Sequence, residues 1–183
     1  MSASPRWSYV QARLQARHGE RLQESDWRTI EAAQSFDSFI EHARASTLRR
    51  FTGRLHALMS AHAIERILRE AWRAYIAELA GWVTASWRQA VMWTSHFPDL
   101  PFIEALLNGE APKWIEQDSV FAGLGERNRS PASASSPLEL LVASGTREGA
   151  VAARWYAHWR SLWPQRRYAN HYYALLDLAA TAL

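Results

Sequence analysis

The sequence predicts an all-α protein, and three observations support this prediction. Nearly every structured stretch repeats its apolar residues at spacings of three and four, which is the period of an α-helix. Almost no stretch alternates between apolar and polar residues, as a half-buried strand would. Serines suited to capping precede several stretches, and glycine or proline follows them. We expect an antiparallel helical bundle with one long bent helix or helix pair and a C-terminal helical hairpin.

The first three predicted helices are short. The first runs from Arg6 to His18 and stops at Gly19, a residue suited to the left-handed position after a helix end. Ser25 is predicted to cap a second helix beginning at Asp26, because an acidic residue in the first turn favours the helix dipole. A third helix is predicted over Ser35–Ala45, and Gly53 marks the next break.

The longest helical signal covers Arg54–Thr94, where apolar residues form a continuous seam for packing against another helix. Ser60 is predicted to cap a new helix there and Gly81 to kink one, so we expect two segments or one bent rod. A short helix over Phe102–Leu107 is predicted to end at Asn108-Gly109.

A segment of low complexity divides the chain. Residues 125–137 are polar and rich in serine, which is typical of a flexible linker or loop. We therefore predict a helical body over 1–124 and a C-terminal unit of two or three helices over 138–183, docked on the body. The helices predicted in this unit are Leu138–Ala143, Arg147–Trp163 and Asn170–Ala180.

Composition and charge exclude several classes of protein. The chain has 21 Lys and Arg against 18 Asp and Glu, and Lys113 is the one lysine. Up to Leu100 there are 13 basic and 10 acidic residues, and after it 8 and 8, so the sequence predicts no nucleic-acid partner. The most apolar stretch, Ala71–Trp93, is interrupted by charges, which predicts no membrane insertion and a cytoplasmic protein. The absence of cysteine excludes disulfides, thiolate zinc sites and cysteine nucleophiles.

Motifs for catalysis are missing from the sequence. No acidic residue lies three positions before any histidine, so the Glu-x-x-His pairs of a di-iron bundle are absent. The sequence also has no Gly-rich phosphate loop and no Gly-x-Ser-x-Gly motif. A Ser–His pair brought together in space stays open, because sequence does not reveal it. We predict no catalytic, cofactor-binding or metal-ligating residue.

Two groups of residues are candidates for contacts. In the first helix, Arg13 and Arg17 lie between two apolar patches, one formed by Trp7, Val10 and Leu14 and the other by Tyr9, Ala12 and Ala16. If both patches are covered, these arginines are buried and paired, since an unpaired buried charge is costly. The alternative is that the arginines form a solvated stripe, in which only the hydrocarbon parts of their side chains are packed.

The second group is an aromatic face near the C-terminus. Trp155, Trp159 and Trp163 recur every four residues on a helix that also carries Tyr156. This face either docks on the body or binds a protein partner, since Trp and Tyr are favoured at interfaces.

Two stretches resemble a known family. The run Tyr9-Val10-Gln11-Ala12-Arg13-Leu14-Gln15-Ala16-Arg17 resembles the opening of the central-stalk C/d family of V/A-type rotary ATPases, and Phe97–Leu107 looks like the element after that family's long helix pair. The resemblance covers Tyr9–Gly109. It implies a helical protein that couples rotor parts of a proton-transport complex, contacts the stalk or rotor ring, and lies at the inner face of a membrane without catalysing a reaction.

The leading hypothesis is therefore a non-enzymatic protein-interaction or structural component of a larger complex. A helical adaptor that binds a partner through the C-terminal tryptophan face is the alternative. A helical small-ligand binder or enzyme is the third hypothesis, and self-association as a homo-oligomer is compatible with each.

Overall fold

The computed structural model describes residues 5–110, 114, 115, 118, 120, 121, 137–142 and 149–164. Every regular element in these ranges is helical, so the prediction of an all-α helical bundle is confirmed. The elements are α1 (Pro5–Gly19), α2 (Glu24–Glu31), α3 (Phe36–Ala45), α4 (Arg49–Thr52), α5 (Ala61–Trp82), α6 (Ala85–Trp93), a 3-10 helix (Thr94–Asp99), α7 (Leu100–Leu107), α8 (Pro137–Val142) and α9 (Ala150–Leu162).

The chain divides into two compact units. Among the described residues, those up to Ala85 belong to unit 1, together with Pro164, and those from Ser86 to Trp163 form unit 2. The predicted linker lies outside the described residues except for Pro137, which begins α8. The helix predicted over Asn170–Ala180 also lies outside them.

Unit 1 is built by helices that follow one another in sequence, because α2 packs on α3, α3 on α4 and α4 on α5. Its core centres on the buried side chains Ile40, Leu55 and Ile67, against which Phe39 and Ile64 pack. The hydroxyl oxygen of Ser60 accepts a hydrogen bond from the Ala63 backbone N–H at 3.3 Å, so the predicted cap of α5 is confirmed.

The predicted start of α2 is wrong by two residues. Gln23, and not Ser25, is the N-cap, and the helix begins at Glu24. The Gln23 backbone N–H donates to the Asp26 carboxylate at 2.9 Å, which satisfies one of the N–H groups that a helix start leaves without a partner. The acidic residue of the first turn therefore decides the boundary.

The long helical signal is divided between two helices, as one of the two predicted alternatives has it. Helix α5 continues through Gly81 to Trp82, and α6 begins at Ala85. Val83, at the break, is extended and its side chain is buried. The break is therefore at Val83, two residues after the predicted glycine.

Unit 2 is organised around α7 and α9. Helix α9 packs on α7 and on α8, and α7 packs on α8 and on the 3-10 helix. The predicted end of α7 is confirmed: Gly109 is left-handed (φ +75°), and the Glu110 N–H donates to the Ala105 carbonyl at 2.9 Å. No helix in the described ranges is both long enough and apolar enough to cross a membrane.

Candidate functional site

The predicted tryptophan face lies largely inside unit 2. Trp155 and Trp159 are only 9% and 6% exposed. The Trp159 indole N–H donates to the Ala90 carbonyl at 3.1 Å, while the Trp93 indole N–H donates to the Trp155 carbonyl at 3.0 Å and the Trp155 indole N–H to the Trp93 carbonyl at 3.4 Å. We call Trp93, Trp155 and Trp159 the tryptophan clasp, since they join α6 to α9.

The remaining members of the predicted face extend the aromatic cluster to its edge. Trp163 is half-buried, with its ring centroid 5.0 Å from that of Trp87 and 5.3 Å from that of Trp159. Tyr156 is 47% exposed, and the Arg160 guanidinium lies 5.8 Å from its ring. A partner that docked on this face would therefore meet Tyr156 rather than Trp155 or Trp159.

A histidine packs against the clasp. The His158 ring centroid lies 4.4 Å from that of Trp93. Burial lowers the pKa of His158 below its usual value of 6.5, because an imidazolium loses hydration there.

Arg17 is half-buried and paired. Its Nη2 lies 2.6 Å from Glu78 Oε1 on α5, and its Nη1 lies 3.0 Å from Glu20 Oε2. Burial acts to lower the pKa of Arg17, but the hydrogen bonds and charges of the two carboxylates outweigh it and raise that pKa. This ion pair links α1 to α5 across 61 positions of sequence.

Arg13, one turn earlier, has different surroundings. Its side chain is exposed, its Nη1 donates to the Tyr9 hydroxyl at 2.7 Å, and its guanidinium carbon lies 4.5 Å from the Trp82 ring centroid. None of the carboxylates in the described ranges pairs with Arg13. The guanidinium is thus held by two aromatic side chains and keeps its charge available.

The two apolar patches predicted for α1 differ in burial. Val10 is buried, and Trp7 and Leu14 are half-buried. Tyr9 is 52% exposed, and Ala12 and Ala16 are exposed as well. We define the α1 surface as Tyr9, Ala12, Arg13 and Ala16, which share one side of the helix.

A cleft with a volume of about 570 Å³ lies between α2 and α3, open to solvent. Its polar lining includes Arg21, Asp26, His42 and Thr47, and Leu22 and Ile30 contribute apolar walls. Sequence reasoning missed this cleft, because its residues come from the loop before α2, from α2 and from the end of α3. No periodicity or motif relates these segments.

Among the described residues, no group of three His, Asp or Glu side chains is arranged to hold a metal ion. A scan against protein-family models and searches of curated proteins and of solved structures found no match to this chain. The resemblance to the central-stalk C/d family therefore depends on the sequence motifs alone.

Proposed function

We propose that this protein is a non-enzymatic helical component of a complex that acts through protein contacts, and that the α1 surface is its contact site. The observation that supports this proposal is the state of Arg13, which is exposed, positioned by Tyr9 and Trp82, and not paired with any carboxylate in the described part of the chain.

A positioned arginine favours binding for an entropic reason. A free arginine side chain loses rotamer freedom when a partner immobilises it, and this loss weakens association. Here the hydrogen bond to the Tyr9 hydroxyl and the stacking on Trp82 have already restricted the Arg13 side chain. Arginine and tyrosine are also enriched among residues that dominate binding energy at interfaces.

Charge and shape define the partner. The guanidinium of Arg13, which pairs with no described carboxylate, can bind a carboxylate of the partner through two parallel hydrogen bonds. Ala12 and Ala16, exposed beside it, allow the backbone of a partner to approach closely. At 1.5 Å per residue the 15 residues of α1 are about 22 Å long. We therefore expect a protein partner that presents an Asp or Glu at its contact face.

The sequence resemblance suggests which complex to test first. The run Tyr9–Arg17 carries both the resemblance to the central-stalk C/d family and the α1 surface. On this proposal the partner is a stalk or rotor-ring component of a V/A-type ATPase, and the protein lies at the cytoplasmic face of that complex. A second copy of this chain would be a different occupant of the same surface.

The adaptor hypothesis is less well supported. Trp155 and Trp159 pack inside unit 2 and give their indole N–H groups to backbone carbonyls. A partner could contact them only after unit 2 opened, which would break these hydrogen bonds and expose the apolar surface of both indoles to water.

Affinity capture with matched variants tests the proposal. The full tagged chain, its Arg13→Gln variant and its Arg54→Gln variant would be used on a gentle lysate of the source organism, and the captured proteins identified by mass spectrometry. Arg54 is a matched control because it is an exposed arginine that already pairs with Glu70 at 2.7 Å. We expect one defined partner with the wild-type chain and with Arg54→Gln, and its loss with Arg13→Gln.

The purified partner must then bind the purified chain directly, and this binding should weaken at high salt. It should be lost when the contact carboxylate of the partner is neutralised by substitution. Equal capture by Arg13→Gln would contradict the role of the α1 surface. Capture of a defined partner from outside the ATPase would refute the rotary complex and leave the α1 surface supported. Self-association lost in Arg13→Gln would identify a second copy as the occupant and refute the ATPase partner.

A further inference from the structure

We propose that the cleft between α2 and α3 binds a small organic monocarboxylate. This site is separate from the proposed function, because the cleft and the α1 surface share no residue. Its volume of about 570 Å³ lies within the range of about 300–1,000 Å³ that is usual for small-molecule sites.

The charged groups of the cleft point to an anion. Asp26 lies in the first turn of α2, where the helix dipole favours a negative charge, and its carboxylate accepts the Gln23 N–H. The Arg21 side chain forms no ion pair with any described carboxylate, and its Nη1 lies 3.4 Å from His18 Nε2. The formal charges of Arg21 and Asp26 cancel, but Asp26 is already used at the helix start, so the Arg21 guanidinium is the charged group that can bind a ligand of opposite charge.

The single guanidinium of Arg21 favours a ligand with a single negative charge. A carboxylate matches the two parallel N–H groups of arginine. A phosphate dianion would bring a second negative charge into the same cleft as the Asp26 carboxylate, which would repel it. The cleft thus favours a monocarboxylate over phosphate.

The other residues of the cleft indicate what the ligand carries besides its carboxylate. Leu22 is half-buried and offers apolar surface to a hydrocarbon chain, and Ile30 also lines the cleft but is buried. The Thr47 hydroxyl and the His42 imidazole add hydrogen-bonding groups at the end of α3. The Ser38 hydroxyl lies 3.5 Å from His42 Nδ1, and when it donates there, the neutral ring keeps its proton on Nε2 as a donor.

Nuclear magnetic resonance titration of the full chain tests this site with defined probes. Hexanoate, its neutral analogue hexanamide, and inorganic phosphate would each be added up to about 20 mM, since simple fragments bind in the millimolar range. We expect hexanoate to shift the backbone signals of Leu22, Ile30 and Thr47. Hexanamide should bind at least about tenfold more weakly, because it has no charge for the contact with Arg21. Phosphate should also bind at least about tenfold more weakly, because the Asp26 carboxylate repels its second negative charge.

Three variants sharpen the test. Arg21→Gln should weaken hexanoate binding by about tenfold or more, because it removes the charged donor. Arg28→Gln is the matched control: Arg28 is an exposed arginine on α2 that pairs with Glu24 and does not line the cleft, so the affinity should not change. Asp26→Asn keeps an oxygen for the cap and removes the repelling charge, so hexanoate should bind about twofold or more tightly.

Circular dichroism would establish that each variant is folded. The proposal is overturned if hexanoate shifts no cleft signal, if hexanamide binds equally well, or if Arg21→Gln binds as tightly as Arg28→Gln. Stronger binding of phosphate than of hexanoate would overturn the assignment to a carboxylate.

Discussion

Unit 1 and unit 2 use large polar side chains in opposite ways. In unit 1, several guanidinium groups lie against rings and carboxylates at half-buried or exposed positions, as Arg13 does on Trp82 and Arg17 on Glu78, whereas Arg69 is buried. In unit 2, the indole N–H groups of the tryptophan clasp donate to backbone carbonyls inside the core. The same excess of arginine and tryptophan in one sequence thus serves two kinds of interaction.

The difference lies in the role of water. The contacts of Arg13 and Arg17 involve charges that water and salt can reach, so each contributes modestly and is weakened by ionic strength. The contacts in unit 2 combine a large buried apolar surface with hydrogen bonds inside the core. We therefore expect substitutions in unit 2 to cost more stability, and those in unit 1 to depend more on salt.

The largest effect is expected for Trp159→Ala. This change removes a buried indole and leaves the Ala90 carbonyl without that donor, so the free energy of unfolding should fall by about 3–5 kcal/mol. Urea titrations followed by circular dichroism would measure the loss.

Two matched variants separate the parts of that effect. Trp159→Phe keeps an aromatic ring but loses the N–H and part of the indole, so it should cost about 1–3 kcal/mol, less than Trp159→Ala. Tyr156→Ala, on the exposed side of the same helix, should cost much less than Trp159→Ala. A loss for Trp159→Ala no larger than that for Tyr156→Ala would contradict the larger contribution expected of the clasp.

An intermediate effect is expected for the ion pair of unit 1. Neutralising Arg17 or Glu78 to Gln should lower the free energy of unfolding by about 1 kcal/mol, because the pair links α1 to α5 and Arg17 is only 23% exposed. A double-mutant cycle gives the coupling energy, which should decrease as salt is raised to about 1 M.

The exposed pair of Arg28 with Glu24 on α2 is the control for that cycle. Its coupling should be smaller than that of Arg17 with Glu78, because both of its side chains are well exposed. A coupling between Arg17 and Glu78 that salt does not change would contradict the contrast between the units.

The smallest effect is expected from His158. Because burial lowers the pKa of His158 in the folded state, the unfolded chain binds its proton more readily. The stability associated with the neutral ring is therefore complete above about pH 6.5 and is lost as the pH falls through the lower folded pKa.

The test compares the urea midpoints of the wild-type chain and the His158→Phe variant at neutral and mildly acidic pH. The variant keeps an aromatic ring beside Trp93 and cannot titrate, so its midpoint should fall less on acidification. His96 also packs near Trp93, with ring centroids 5.4 Å apart and Nδ1 3.6 Å from Asp99 Oδ2, and it is present in both chains. Equal acid losses would contradict the role of His158.

The sequence predicted the fold class and most helix positions because these depend on local patterns. The boundary at Gly109 and the cap at Ser60 were predictable, since each requires a particular residue type at one position. The exact start of α2 and the exact break before α6 were not, because the apolar pattern there allows boundaries that differ by two residues.

The candidate sites were predictable only in part. The spacing of Trp155, Trp159 and Trp163 showed that they share a helix face, but it left open whether core or partner covers that face. Likewise, a helical wheel groups Arg13 with Arg17 and cannot show that Glu78 pairs with Arg17 and not with Arg13. The cleft between α2 and α3 had no signal in the sequence at all.

The sequence by itself determined an all-α protein rich in arginine and tryptophan, because helix periodicity and capping act over a few neighbouring residues. Only the tertiary structure decided which tryptophans lie in the core, which of Arg13 and Arg17 is paired with a carboxylate, and where a cleft opens. These outcomes depend on residues far apart in the chain, such as Arg17 with Glu78 and Trp159 with Ala90. Such contacts form only when packing brings the helices together, and no local rule of sequence encodes them.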